Sequence, residues 1–209
     1  MILNFADLSP TQRYFAMVQS IIPRPIAWVL SDNGAPASYN LAPYSFFTGV
    51  CSDPPLLMIS AGLKRGGAED GQAKDTRRNV LERKQFVVHI ASTAQIDAVN
   101  RSAETLPHGT SEISQLGLET RPFDDFPLPR LSACGIALAC TLYRIDEIGS
   151  APQAVIYGEI VKAYVADELV QPGDSQRLVL DSQRIDPLAR LGGEYYSALG
   201  QRLRAERPD

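Results

Sequence analysis

The chain has few of the residues from which metal centres and disulfide frames are built. It carries two histidines, His89 and His108, too few and too scattered to suggest a metal site. Its three cysteines, Cys51, Cys134 and Cys140, are an odd set without C-x-x-C spacing. They read as small core residues in a reducing compartment, not as a disulfide framework or a zinc site. No apolar run approaches the ~20 residues of a membrane-spanning helix. The opening MILNFADLSP lacks a basic flank followed by an apolar stretch, so no secretory signal is expected and the cytoplasm is the expected location. A net charge of −4 gives no reason to expect nucleic acid or an anionic membrane as a partner. No G-x-G-x-x-G joins a strand to a helix, which argues against a Rossmann dinucleotide site. There is no P-loop, no G-x-S-x-G nucleophile elbow, no suggestive carboxylate pair and no internal repeat.

What remains is an ordinary globular composition, 44% hydrophobic and 21% charged over 209 residues, which suits one domain with a real core. Residues 10–20 predict a helix, with Ser9 as N-cap, Pro10 in the first turn, and Tyr14, Phe15 and Val18 on one face. Pro23 and Pro25 end it and hold Arg24 extended. The runs 26–31, 55–61 and 85–91 predict strands, with a turn at Asp32-Asn33-Gly34. Residues 135–149 and 153–167 predict two long strands joined by a hairpin around Ser150-Ala151-Pro152. Helices are expected at 74–84, capped by Asp75 or Thr76, and at 94–104. A helical tail is expected over about 182–204, with a stop at Gly192-Gly193. The stretch between, with Pro107, Gly109, Pro122, Pro127 and Pro129, reads as loop. Gly66-Gly67 reads as a flexible turn. The sum is a mainly β fold, an antiparallel core with peripheral helices, for which a barrel is the natural solution because closure removes exposed edges.

Two clusters could carry chemistry. Lys74-Asp75-Thr76, with Asn79 one turn on, opens a helix whose unpaired backbone N–H groups favour an anion. Lys74 adds a charge and Thr76 a hydroxyl. The same pattern also describes a capped surface helix with a solvated basic end. The second cluster, SYNLAPYS over residues 38–45, offers Asn40 and Ser45 as hydrogen-bonding groups. Leu41 and Ala42 make a thin wall, and Pro43 stiffens the bend. That menu suits a flat ligand with one polar and one apolar end. Tyr44, Phe46 and Phe47 beside it read as core aromatics. His89, inside a predicted strand, reads as a hydrogen-bonded structural residue.

In order along the chain stand Arg24-Pro25-Ile-Ala-Trp, Asn40-Leu-Ala-Pro-Tyr-Ser-Phe-Phe, Ser52-Asp-Pro-Pro, Lys74-Asp-Thr-x-x-Asn79 and Gln85-Phe-Val-Val. Ser111-Glu-Ile-Ser-Gln-Leu-Gly-Leu118 and Arg190-Leu-Gly-Gly-x-Tyr195 follow downstream. Together they resemble the flavin reductase-like family, with its FMN-binding split barrel, over nearly the entire chain. The resemblance implies a homodimer holding FMN near the subunit interface. It implies that Asn40, Leu41, Ala42, Pro43, Tyr44 and Ser45 line the isoalloxazine and ribityl chain, and that Ser60 and Ala61 offer backbone to the ring. Lys74, Thr76 and Asn79 would hold the phosphate with help from Arg24, and Tyr195 would approach the flavin or the partner chain. It further implies hydride transfer from NADH or NADPH to the flavin, with electrons passing on to a monooxygenase or another redox partner. A flavoredoxin-like electron carrier and a non-catalytic FMN-binding protein fit the same residues. His89 departs from the family, which often has Asn there, and loop 62–73 is family-variable.

Overall fold

The computed structural model describes residues 1–66, 68–150, 153–172 and 177–206. Its main sheet has seven strands: β1 (Ala27–Asp32), β2 (Tyr39–Tyr44), β3 (Phe47–Ser52), β4 (Pro55–Ala61), β5 (Gln85–Ile90), β6 (Ile136–Ile148) and β7 (Gln153–Val165). All neighbours run antiparallel, in the order β2-β1-β5-β6-β7-β4-β3.

That order forces the sheet to curl. β2 and β3 lie at opposite ends of it, yet only Ser45 and Phe46 separate them in the chain. Three peptide steps span at most ~11 Å. A flat seven-stranded sheet would hold its end strands about 29 Å apart, six spacings of ~4.8 Å. The sheet therefore wraps into a split barrel whose seam lies at Ser45-Phe46. A backbone bond from Ser60 N–H to Phe46 C=O, 2.9 Å, ties that seam to β4.

Both faces of the sheet are buried, which is why the central strands read as continuous apolar runs. Along β1 the side chains alternate, as the period of two requires. Trp28 and Leu30 join one core cluster with Val87, Leu131 and Ala137. Ala27 and Val29 join the other with Phe86, Val88, Leu57 and Ile156. Packing is tight where β7 passes Phe86: a Cβ on Gly158 would stand 2.3 Å from the Phe86 ring.

Among the described residues, five α-helices surround the barrel: α1 (Pro10–Ser20), α2 (Asp75–Arg83), α3 (Ile96–Arg101), α4 (Glu112–Leu116) and α5 (Ser182–Ile185). α1 begins as its sequence dictates. Ser9 and Gln12 form a reciprocal capping box and Pro10 occupies the first turn. Of its predicted apolar face only Val18 is buried; Tyr14 and Phe15 stay about half exposed.

Several local expectations change. Residues 39–44, read as a bend, form β2; Pro43 is tolerated because β2 ends the sheet and needs no donor on its outer side. The Pro-rich stretch read as loop contains α4 and a two-stranded hairpin, Thr120–Phe123 with Phe126–Leu131. The N-cap of α2 is Lys74, not Asp75 or Thr76. In the tail, the helix ends at Ile185 on a left-handed Asp186, well before Gly192-Gly193, and the rest includes short strands at Ala189–Arg190 and Tyr196–Ser197. β6 and β7 pair as expected, but Ala151 and Pro152 of their connection lie outside the described residues, as does Gly67 of the expected Gly66-Gly67 turn.

Candidate functional site: a cleft at the barrel seam

A cleft of about 560 Å³ opens at the seam, between the β2–β3 connection, the end of β4, loop 62–73 and the start of α2. Pro43, Tyr44, Ser45 and Phe46 form one wall. Ser60 and Gln153 meet opposite them, Ser60 Oγ donating to Gln153 Oε1 at 3.3 Å. Lys74 stands at the deep end, and Tyr14 and Arg65 at the lip. A smaller adjoining cavity of about 70 Å³ reaches Asn40, Ala42 and Glu112.

The deep end is built for an anion. α2 begins at Asp75, and no side chain caps its N-terminus. Its first N–H groups and the positive end of the helix dipole therefore point outward. Lys74 forms no ion pair among the described residues; its ammonium lies 5.3 Å from the Tyr44 ring centroid. Burial, and then the neighbouring Arg65 charge, lower the Lys74 pKa, the signature of a cation held without a counter-charge. Tyr44 is buried, and its hydroxyl has no hydrogen-bond partner. Tyr44 lines this cleft, and its hydroxyl is buried close to Thr76.

Asp75, in the first turn, would repel an anion if left alone. Lys64, only 5% exposed, prevents this. Its ammonium lies 2.8 Å from Asp75 Oδ2 and 2.5 Å from Glu69 Oε2, and it donates to Leu106 C=O at 3.3 Å. Burial opposes the Lys64 charge, but the hydrogen bonds to Asp75 and Glu69 outweigh it and hold its pKa above the ordinary lysine value. His108 Nδ1 sits 2.7 Å from the other Asp75 oxygen. Neither Lys64, in a loop with no motif, nor His108 was singled out by its sequence context. Their signal is tertiary.

The other expected site residues divide by position. Beneath the cleft, Asn40 donates to Thr76 Oγ1 at 2.8 Å, and Asn79 donates to Ser31 Oγ and Asn33 Oδ1. Thr76 and Asn79 are fully buried in this network, and Asn79 Oδ1 has no partner. Leu41 and Ala61 are buried in the core clusters. Arg24 is 5% exposed and donates to the carbonyls of Val18, Ile21 and Leu191 and to Ser45 Oγ. It clamps the C-terminal end of α1 and the tail to the seam, and burial lowers its pKa. Tyr195 is 73% exposed and lies outside the cleft. Phe47 packs on the core as expected, whereas Phe46 stands in the cleft wall.

Two further titratable groups are buried, Glu112 beside the smaller cavity and His89 within the sheet. Glu112, 5% exposed, accepts the Leu41 N–H at 2.8 Å, and burial pushes its carboxyl up to about 7. His89 lies within the sheet with Nδ1 3.0 Å from Trp28 C=O and Nε2 accepting the Leu131 N–H at 3.0 Å. A carbonyl only accepts, so Nδ1 carries the proton and the ring is neutral. Burial lowers its pKa to about 4. His89 is a structural bridge, as expected.

An antiparallel split barrel with an anion-ready helix end on its seam is the architecture of a flavin-binding protein class. The match is direct: residues 18–195 fit the flavin reductase like domain, and the chain belongs to that family. The uncharacterized protein BH2278 of Halalkalibacterium halodurans is 35% identical over 99% of this chain and 96% of its own length. Among solved structures, nitrilotriacetate monooxygenase component B from Bacillus cereus superimposes with a TM-score of 0.87 at 31% identity, covering 98% of both chains. The 2-nitrobenzoate 2-nitroreductase NbaA of Pseudomonas fluorescens gives 0.84 at 31% identity over 100% of this chain and 96% of its own. Among the described residues no helix is long and apolar enough to cross a membrane, and no cluster of three metal-ligating side chains occurs.

Proposed function

We propose that this protein is an FMN-dependent NAD(P)H:flavin oxidoreductase that passes electrons to an acceptor such as a separate monooxygenase. The observation that carries this reading is the cleft itself. An uncapped helix start, an unpaired Lys74 and the Tyr44 ring meet at one end of a slot lined by Pro43, Ser45 and Ser60. Those groups fit a flat ring carrying a phosphate tail. The likeness to a monooxygenase component B supports the electron-donor role.

Bound FMN would supply the acceptor for a hydride from the nicotinamide of NADH or NADPH. The chain's own part is to bind and orient. Lys74 and the first N–H groups of α2 take the phosphate. The Tyr44 hydroxyl donates to an oxygen of the ligand. Pro43, Ser45 and Ser60 flank the ring, with Asn40 and Ala42 on the adjoining cavity. Phe46 and Tyr14 narrow the slot and exclude water. Thr76, Asn79 and Arg24 act from behind, fixing β2, the start of α2 and the seam. Leu41 and Ala61 supply backbone and core.

The protein acts as a homodimer in this proposal. α1 and the chain after it leave Phe15, Met17, Ile21 and Ile22 exposed at 41–58%, an apolar face that a second copy would cover. Tyr195 would then face the partner chain. The free thiols suit the reducing cytoplasm.

The test is a spectrophotometric assay at the nicotinamide band with NADH or NADPH and excess free FMN. Turnover supports the reductase. Reduction of bound FMN only by a protein donor points instead to a flavoredoxin-like carrier. Reduction by neither leaves a binding protein and contradicts the proposal.

A further inference from the structure

The geometry points to a second anion subsite at the lip of the cleft, in which Arg65 and Tyr14 receive a phosphate of the incoming nicotinamide dinucleotide. This rests on the flavin reading of the same cleft and adds to it the residue that recognises the second substrate.

Three cations stand on or beside the cleft, and their charges are not equally committed. Lys64 is consumed by Glu69 and Asp75. Lys74 belongs to the helix end, where one phosphate would take both its charge and the backbone donors. Arg65 is left over. It is exposed, forms no ion pair among the described residues, and lies with its guanidinium 5.7 Å from the Tyr14 ring centroid. That distance is within cation–π range, so the ring face gives the guanidinium a platform without using its N–H donors. A planar fork with free donors is matched to a phosphate ester. Asp70, the one carboxylate on the cleft wall among the described residues, already accepts the Gly66 N–H at 2.6 Å through Oδ1 and pairs with neither cation.

The segment presenting Arg65 is not left to chance. Leu63 bridges Ala73, Lys64 N–H donates to Gln72 C=O at 2.8 Å, and Thr105 Oγ1 donates to the Arg65 carbonyl at 3.4 Å. The Arg65 charge also contributes to depressing the Lys74 pKa, as two cations facing one space without counter-charges should. One mononucleotide phosphate satisfies one of them. The other is available for a second phosphate, which a nicotinamide dinucleotide brings in its diphosphate bridge and, in NADPH, at its ribose 2′ position.

The experiment is a calorimetric titration of the FMN-loaded full chain with NAD⁺ and NADP⁺, the oxidised forms, so that no turnover occurs. Arg65→Gln is expected to weaken nucleotide binding about tenfold, the effect of one charge-assisted contact at an exposed site. Its FMN affinity should stay within about twofold of the parent, and Arg65→Lys should restore part of the loss. Equal weakening of NAD⁺ and NADP⁺ assigns Arg65 to the diphosphate bridge; weakening of NADP⁺ alone assigns it to the 2′-phosphate. Unchanged nucleotide affinity in Arg65→Gln, or no nucleotide binding by the FMN-loaded parent, overturns the subsite and leaves the flavin reading standing. Failure of the parent to load FMN overturns the flavin reading and the subsite together.

Discussion

The Lys64 ammonium lies 2.8 Å from Asp75 Oδ2, and both side chains are buried. This pair decides what the start of α2 can do. A carboxylate in the first turn of a helix normally uses the dipole for itself. Here its charge is cancelled from the side, and the helix end remains available to a ligand. Lys64→Met is expected to cost about 3 kcal/mol of stability, because it leaves the buried Asp75 carboxylate with only His108 and the more distant Arg78, 3.7 Å away. It should also weaken FMN binding, through the repulsion that Asp75 would then exert. Chemical denaturation with and without FMN checks both.

The orphan hydroxyl of Tyr44 separates a binding role from a packing role. If it serves only the fold, Tyr44→Phe removes an unsatisfied buried group and changes nothing else. The expected outcome is a variant whose ligand-free form is as stable as the parent or more so, by up to about 1 kcal/mol, while its FMN affinity falls. A thermal melt of the ligand-free protein and a fluorescence-quench titration give the two numbers.

Two buried groups tie stability to pH in opposite senses. His89 titrates near 4 in the folded chain against an ordinary value of 6.5. The unfolded chain binds the proton first, so the His89 contribution is intact above about pH 6.5 and is lost as pH falls through 4. Glu112 acts in the opposite sense. Its carboxyl is raised from 4.5 to about 7, so its contribution is intact below about 4.5 and is lost as pH rises through 7. Each shift corresponds to about 3 kcal/mol at the far side of its window. Between about pH 4.5 and 6.5 the two contributions cancel, so denaturation midpoints of the parent should be nearly flat from pH 4 to 7, and Glu112→Gln should uncover the His89 limb, a stability that rises by about 3 kcal/mol from pH 4 to 6.5.

The apolar face of α1 predicts a dimer. Phe15→Glu places a charge in the middle of that face, where Phe15 is half exposed and meets the Tyr14 ring edge-on. The parent should sediment at twice the chain mass and the variant at the monomer mass, with an unchanged far-ultraviolet spectrum.

How much of this was legible in the sequence depended on how local the signal was. α1, with Ser9, Pro10 and Gln12 at its start, carries its own instructions, as do the apolar runs of β1 and β5. β2 was hidden because Pro43 reads as a breaker, and only the sheet order shows that it occupies an end strand. The hairpin at 120–131 was hidden by Pro122, Pro127 and Pro129 in the same way. Pro43, Tyr44, Ser45, Ser60 and Lys74, drawn from separate motifs, line one cleft. Thr76 and Asn79 matched a motif, but the motif does not say which polar atoms the protein itself has already used. Lys64, Arg65 and Glu112 were overlooked because their roles come from partners 5, 51 and 71 positions away: Glu69, Tyr14 and Leu41.

The phosphate end of the cleft is the point on which the functional account turns, and riboflavin, which lacks that phosphate, probes it directly. Titration of the parent chain and of Lys74→Gln with FMN and with riboflavin gives four dissociation constants. The account predicts that the parent prefers FMN by at least about tenfold, the worth of one charge-assisted contact, and that Lys74→Gln removes most of that preference while leaving riboflavin affinity nearly unchanged. Equal affinity of the parent for both ligands, or a preference for FMN that survives Lys74→Gln intact, would contradict it.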